Sequence, residues 1–348
     1  MKLFIFGSTG DLVKRKVLPA LQTLQKKDLE IWAIGRRDFT HEIYKDFVCS
    51  NQCSIYFRKR LNYLKINFEK QNLCKSCENI LDKNKINYFY ISMPPKYADK
   101  ILISLSKLKE KGFKIKILIE KPFGENLKHA KILKKIIQEK NLEKDIFLSD
   151  HYLFKKNILN AKKINAKKIK IISIEKLGLE NRTTYYDNVG ALNDMIQNHF
   201  FNILFKLLKN SKKEIKSLKI VDYIKAQYGN GINTGYVKEL GKKSQTETFV
   251  YLKLKTNKQE FIFITGKAFN KKQSQLKLDN KSLSLNSKNP YESLFLKFFS
   301  EKKEFFPTIS NAILSWEIIE KINSKKPKLK YYQKNSSLNQ VLNKKELK

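Results

Sequence analysis

In its first half the chain alternates short, unbroken apolar runs with stretches of helical period. That alternation limits what it can fold into more than any other feature. Leu3-Phe4-Ile5-Phe6 runs into Gly7, and helical spacing follows through Leu12, Leu18, Leu21 and Leu24. Ile31-Trp32-Ala33-Ile34 runs into Gly35, and residues 88–91, 115–119 and 146–148 repeat the pattern. Short apolar strands separated by helices make a parallel sheet of the doubly wound kind. In such sheets chemistry gathers at the carboxyl ends of the strands.

After about residue 168 the pattern changes. Residues 169–174 read as a strand and 190–208 as a helix, followed by strand-like segments at 220–228, 246–254 and 261–265. Strand after strand with few helices predicts an α+β unit with a large, mainly antiparallel sheet. A last helix is expected at 312–322, and a polar, lysine-rich tail from Lys325 is expected to fray. The class is therefore α/β. Residues 1–152 are expected to form a Rossmann-type domain, 153–330 an α+β domain and 331–348 a polar tail. A length of 348 residues suits two domains.

The net charge is +38, from 71 basic and 33 acidic residues. Nucleic-acid readers favour arginine's planar fork. Only six basic residues here are arginine, and the lysines are spread over the whole chain. We read the charge as compositional bias of an A- and T-rich genome, with no specific nucleic-acid partner. No apolar run approaches the length of a membrane span, and MKLFIF is too short for a signal peptide. No membrane association is expected, and the expected location is cytoplasmic. Cys49, Cys53, Cys74 and Cys77 are spaced CxxxC and CxxC in helical-looking surroundings without a knuckle glycine. Reduced, structural cysteines and no metal are expected.

Four strand ends carry residues suited to chemistry. Gly7-Ser8-Thr9-Gly10-Asp11-Leu12 joins the first strand to the first helix. Glycines there let the backbone approach a pyrophosphate that the helix N–H groups stabilise. The spacing is GxxG, so a plain tight turn remains an alternative. The second strand ends Gly35-Arg36-Arg37, and paired guanidinium groups suit a 2′-phosphate. Asp38 is the competing residue that would favour NAD; we prefer NADP. The apolar run 115–119 ends Glu120-Lys121-Pro122, where a lysine can reach a substrate hydroxyl and proline fixes the backbone, with a cis bond as one form. The next ends Asp150-His151-Tyr152, with Lys155 close behind: an imidazole, a phenol and an ammonium that can grip a phosphate. A helix start capped by Asp150 is the bland alternative. His199 lies in the stripe of Leu192, Met195, Ile196 and Ile203, with Asp194 on the same helix. It reads either as a satisfied core histidine or, if Asp150 reaches its ring, as an oriented general base.

Together these segments resemble glucose-6-phosphate dehydrogenases. The resemblance is carried by GSTGDLVKRKVLPAL from Gly7, FYISMPP from Phe89, IEKPFG from Ile119, DHYLFKK from Asp150 and YYDNVGALNDMIQNH from Tyr185. Weaker echoes follow at AQYG from Ala226, QTETF from Gln245, TGK from Thr265, NPYESL from Asn289 and the helix bearing Trp316. It covers most of the chain, in family order. The resemblance implies NADP-dependent oxidation of the C1 hydroxyl of glucose 6-phosphate to the lactone, the first oxidative step of the pentose phosphate pathway. It makes His199 the base and Asp150 its orienting partner. It gives the phosphate to His151, Tyr152 and Lys155, and contacts with the sugar or its phosphate to Lys121, Glu175, Asp194 and Lys267. Gly7, Ser8, Gly10, Asp11, Leu12, Arg36 and Lys121 fall to the cofactor. A homodimer or homotetramer built through the second sheet is implied as well.

The chain departs from the family pattern in being short, both between Lys155 and Ile169 and within the second domain, as in the shrunken genome of an endosymbiont. Phe154 replaces a usual glycine beside the expected phosphate pocket, and Asn193 a common arginine.

Overall fold

The structure is a computed structural model that describes residues 1–49, 53–67, 73–229, 234–343 and 346. Two units emerge, one of residues 1–154 with 288–313 and one of 155–287 with 314–348.

The first unit is built on strands β1 (Lys2–Phe6), β2 (Glu30–Gly35), β3 (Leu61–Lys65), β4 (Asn87–Ile91), β5 (Ile115–Ile119) and β6 (Ile146–Leu148). Their order is β3-β2-β1-β4-β5-β6 and all pair in parallel. The apolar runs that predicted β1 and β4 are buried along their whole length apart from half-buried Lys2, as parallel strands covered on both faces must be. The strand β3, not anticipated, sits at the sheet edge, where Leu61 and Tyr63 alternate with more exposed neighbours.

The helix Pro290–Phe299 groups with this unit, although the sequence reading placed its residues in the second domain. The reason is aromatic packing. Phe295 meets Tyr90 edge-on, Phe298 meets Tyr88 and Phe147, and Phe299 meets Tyr88. Such pairs add about 0.5–1.5 kcal/mol each beyond their area burial.

The second unit holds seven strands: β7 (Lys168–Ile174), β8 (Lys219–Tyr228), β9 (Phe249–Lys255), β10 (Glu260–Gly266), β11 (Gln273–Leu278), β12 (Lys281–Ser284) and β13 (Lys330–Tyr332), in the order β12-β11-β7-β10-β9-β8-β13. The sheet is mainly antiparallel, as expected, but β7 runs parallel to β10 and β13 parallel to β8. Phe200 and Phe201 pack edge-on against Phe263 of β10, which seats the helical segments Leu192–Phe200 and Phe201–Leu207 on the sheet.

Two expectations are corrected here. The tail does not fray at its start: β13 adds to the sheet, and Leu342 is buried. Tyr332 supplies the reason. Its ring stacks on Phe269 and meets Phe249, and its hydroxyl donates to the Lys267 carbonyl at 2.7 Å. One buried aromatic outweighs the polar residues around it. Tyr332→Phe should cost about 1–2 kcal/mol in urea unfolding, because the Lys267 carbonyl loses a buried donor.

The second correction concerns the cysteines. Cys49 and Cys53, expected as thiols, are joined in a disulfide, their Cα atoms 5.0 Å apart at the end of the helix His41–Cys49. That separation lies within the reach of a bridge. Cys77 is buried. Among the described residues no helix is long and apolar enough to cross a membrane.

Candidate functional site

The strand order of the first unit reverses at β1 and β4, and a cleft of about 480 Å³ opens at their carboxyl ends. This is the switch point where doubly wound sheets bind ligands. Gly7, Thr9 and Gly10 line it from β1, Gly35 and Arg36 from β2, Asn67 from beyond β3, and Ser92, Met93, Pro94, Lys96 and Tyr97 from beyond β4.

The loop after β1 is shaped by its backbone. Gly7 has φ +75°, and a Cβ there would stand 2.2 Å from the Ser92 carbonyl oxygen. Gly10 donates to the Gly7 carbonyl at 3.0 Å and Lys14 to the Gly10 carbonyl, which turns the chain into its first helix. That helix is a π segment, Val13–Val17, running into the α-helix Leu18–Thr23. Ser8 is fully buried and its carbonyl accepts from Tyr44. Asp11 is exposed and pairs with Arg15, and Leu12 is half-buried. These three sequence-predicted residues do not line the cleft.

The end of β2 separates the two cofactor readings. Arg36 lines the cleft. Asp38 is instead paired with Lys65 at 3.0 Å and does not line it. Arg37 lies over the rings of Phe39 and Phe47, and its carbonyl accepts from the Tyr63 hydroxyl. The cleft thus presents a guanidinium, not a carboxylate, where a ribose would be read. Its glycine cradle and its charge fit NADP.

Farther along the same edge, β5 ends in buried Glu120, half-buried Lys121 and a cis bond to Pro122. Glu120 accepts from Tyr90 at 2.6 Å and from Ser149 at 2.8 Å. Burial, then the charge of Glu120, holds the Tyr90 phenol far above its ordinary range, so it stays a donor. Past β6, Asp150 is fully buried and its Oδ1 accepts from the backbone N–H of Tyr152 at 2.9 Å. Asp150 thus caps a turn, not the helix start expected of it. His151 is half-buried and Tyr152 buried, their rings 5.1 Å apart.

Phe154, expected beside the phosphate pocket, is a core residue: it is 1% exposed and packs against Phe306. An aromatic side chain turned into the Phe147–Phe306 cluster leaves the strand end it follows unobstructed.

In the second unit Lys155 precedes the short helix Lys156–Leu159. Glu175 and Lys267 follow the parallel partners β7 and β10, whose register pairs Ile174 with Gly266. Their side chains meet at 2.7 Å, with Lys267 nearly buried. Asp194 and His199 share the π-helical segment Leu192–Phe200, and His199 is 1% exposed. Wide turns of this kind recur at functional sites.

Glu247, not anticipated, supports that segment. Its carboxyl accepts from the Leu192 N–H at 3.0 Å, and its backbone carbonyl from the Ala191 N–H. Burial pushes its carboxyl pKa up. A Cβ on Gly190 would stand 2.4 Å from it, which accounts for the glycine. Only the QTETF echo marks it in the sequence.

Comparison with known proteins now adds to this geometry. Residues 4–160 match the family model for the glucose-6-phosphate dehydrogenase NAD binding domain, and residues 151–289 match the model for the C-terminal domain. The glucose-6-phosphate 1-dehydrogenase of Buchnera aphidicola subsp. Schizaphis graminum is 32% identical over 348 aligned residues, covering 82% of this chain and 71% of that protein. The Helicobacter pylori enzyme of the same name is 31% identical, covering 72% and 68%. The crystal structure of the Mycobacterium avium enzyme of that name shares the fold with a TM-score of 0.81 at 21% identity, covering 96% of this chain and 94% of that one. Two domain models matched in order and a relative this similar establish that the chain belongs to the glucose-6-phosphate dehydrogenase family.

Proposed function

We propose that this protein oxidises the C1 hydroxyl of glucose 6-phosphate to the lactone with NADP as acceptor, the first oxidative step of the pentose phosphate pathway. The observation that carries the cofactor half is the cleft of Gly7, Gly10 and Arg36 at the switch point, with Asp38 drawn away to Lys65. Gly7, Thr9 and Gly10 would admit the pyrophosphate, with Ser8, Asp11 and Leu12 shaping the loop and helix start behind them. Arg36 would take the 2′-phosphate, and Lys121 would lie at the nicotinamide end. The bound NADP supplies the hydride acceptor.

The remaining roles belong to side chains. His199 takes the hydroxyl proton as the C1–H bond breaks, since an alcohol gives up hydride only as its O–H proton leaves. Asp150 orients that imidazole and supports its charge. His151, Tyr152 and Lys155 hold the phosphate by charge-assisted hydrogen bonds. Lys121, Glu175, Asp194 and Lys267 hold the sugar or its phosphate, and the Lys267–Glu175 ion pair favours this role by fixing both groups beforehand. We assign the protein to the cytoplasm as a homodimer or homotetramer formed through the second sheet.

The test follows the absorbance of reduced nicotinamide with glucose 6-phosphate, glucose or galactose 6-phosphate, each with NADP or NAD. Turnover far faster with glucose 6-phosphate than with the other two sugars, and with NADP than with NAD, is the expected result. Faster turnover with unphosphorylated glucose would overturn the substrate assignment. Arg36→Ala should raise the KM for NADP roughly ten- to a hundredfold, the worth of a charge-assisted hydrogen-bond pair, and change that for NAD little. An equal rise for both cofactors would remove Arg36 from the 2′-phosphate.

A further inference from the structure

The NPYESL segment carries no role in the chemistry derived so far, yet its tyrosine sits at the centre of the strand ends that do. Tyr291 opens the helix Pro290–Phe299 within the first unit and is 3% exposed. Its ring is stacked on the imidazole of His151, with centroids 5.5 Å apart and planes within 19°. Its hydroxyl points at Glu120 Oε1 at 3.5 Å. The same carboxylate takes the hydroxyls of Tyr90 and Ser149 on its other oxygen. Side chains of β4, of the residue after β6 and of this helix thus converge on one buried carboxylate at the end of β5. Tyr291 extends the cluster to the first side chain of the proposed phosphate grip.

We infer that Tyr291 is a positioning residue for phosphate recognition: its ring is the platform that fixes the orientation of the His151 imidazole, and its hydroxyl ties that platform to Glu120 beside Lys121. The inference rests on the proposed glucose 6-phosphate activity.

The physical argument has two parts. A half-buried imidazole on a loop has a broad χ2 well, and a phosphate gains from it only in the orientation that aims an N–H at an oxygen. Parallel stacking on a rigid phenol selects that orientation before the ligand arrives, so less ordering is lost on binding. Burial and then the Glu120 charge hold the Tyr291 phenol far above its ordinary range, which keeps its hydroxyl a donor toward the carboxylate. Aromatic stacking is worth about 0.5–1.5 kcal/mol, so losing it weakens a phosphate contact by up to roughly tenfold.

Tyr291→Leu and Tyr291→Phe provide the test, with kcat and KM measured for glucose 6-phosphate and for glucose, which lacks the phosphate. The expected result for Tyr291→Leu is a KM for glucose 6-phosphate raised by up to roughly tenfold. The ratio of kcat/KM for glucose 6-phosphate over glucose should fall by the same factor, because glucose makes no use of the imidazole. Tyr291→Phe keeps the ring and should restore most of that ratio. A merely structural role would depress both substrates together and leave the ratio where it was, which overturns the inference. So does a Tyr291→Phe variant as impaired in the ratio as Tyr291→Leu.

An activity-independent measurement separates this from failure of the functional reading. In the wild type the stacked His151 ring protons should resonate upfield in the NMR spectrum, and in Tyr291→Leu they should move downfield. Addition of inorganic phosphate should shift them at lower concentration in the wild type. If the wild type turns over no glucose 6-phosphate but these shifts appear, the activity is wrong and the platform stands. Identical His151 resonances in the wild type and Tyr291→Leu would overturn the platform whatever the activity.

Discussion

His199→Asn should bind NADP as tightly as the wild type and turn over glucose 6-phosphate roughly 10²–10⁴ times more slowly, the usual contribution of a placed general base. Asparagine keeps a polar, hydrogen-bonding side chain of similar reach but has no basic nitrogen, so the substrate hydroxyl keeps its proton while hydride must leave. The loss should fall on kcat, with KM for the sugar phosphate changed far less, because the proton is taken only as the transition state forms. Gly7, Arg36 and the other residues that line the cofactor cleft all belong to the first unit, and His199 is not among them. His199 is 1% exposed, on a segment whose amino end is held by the Glu247 carboxyl at Leu192. Calorimetric NADP titration and thermal unfolding of the variant confirm that only chemistry was removed. Retention of kcat within tenfold of the wild type would show that another group takes the proton.

Why some of this was legible in the sequence and some was not comes down to how far apart the cooperating residues lie. Gly7, Gly10, Arg36, Lys121, Asp150 and His151 each directly follow or lie close behind an unbroken apolar run, so strand period and chain position locate them together. The other wall of the cleft is harder. Asn67 and the segment from Ser92 to Tyr97 line one cleft with Gly7 only because the strands run in the order β3-β2-β1-β4, which periodicity does not encode. FYISMPP carried family resemblance without announcing that its last residues line a pocket. Glu247 reaches Leu192 across 55 residues, and Tyr291 reaches Glu120 across 171.

Composition also misleads where one residue outweighs its neighbours. The stretch around Tyr332 averages as polar, yet that ring and its hydroxyl draw a strand into the sheet and hold the backbone at Lys267, a proposed substrate residue. Phe154 shows the reverse case. Judged by chain position it stands over the phosphate grip, but the Phe147–Phe306 cluster offers an apolar side chain a better place. The edge strand β3 and β11, one in from the edge of its sheet, carry no unbroken apolar run because one side of each is less demanding, so their sequences alternate or turn polar.

Gly7→Ala should abolish measurable NADP binding, the second large effect, and its cause is steric rather than chemical. The added methyl would sit 2.2 Å from the Ser92 carbonyl oxygen and 2.9 Å from its carbon, both backbone atoms. Neither can swing aside, because the Ser92 N–H donates to the Phe6 carbonyl at 3.0 Å and β4 is held between β1 and β5. The φ of +75° adds about 1–2 kcal/mol of left-handed strain for any residue with a Cβ. Relief requires the β1 loop to move away from β4, which distorts the two walls that face each other across the cleft. The backbone groups that would meet the pyrophosphate move with it, so titration should show NADP affinity down by roughly a hundredfold or more, a loss of about 2.7 kcal/mol. Gly112→Ala is the control. It too lies at positive φ, +87°, but nothing stands within 4 Å of its Cβ, so it should carry the left-handed strain alone and bind NADP normally. If Gly7→Ala bound NADP as tightly as Gly112→Ala, the close approach of the β1 loop to β4 would not be what shapes the cofactor cleft.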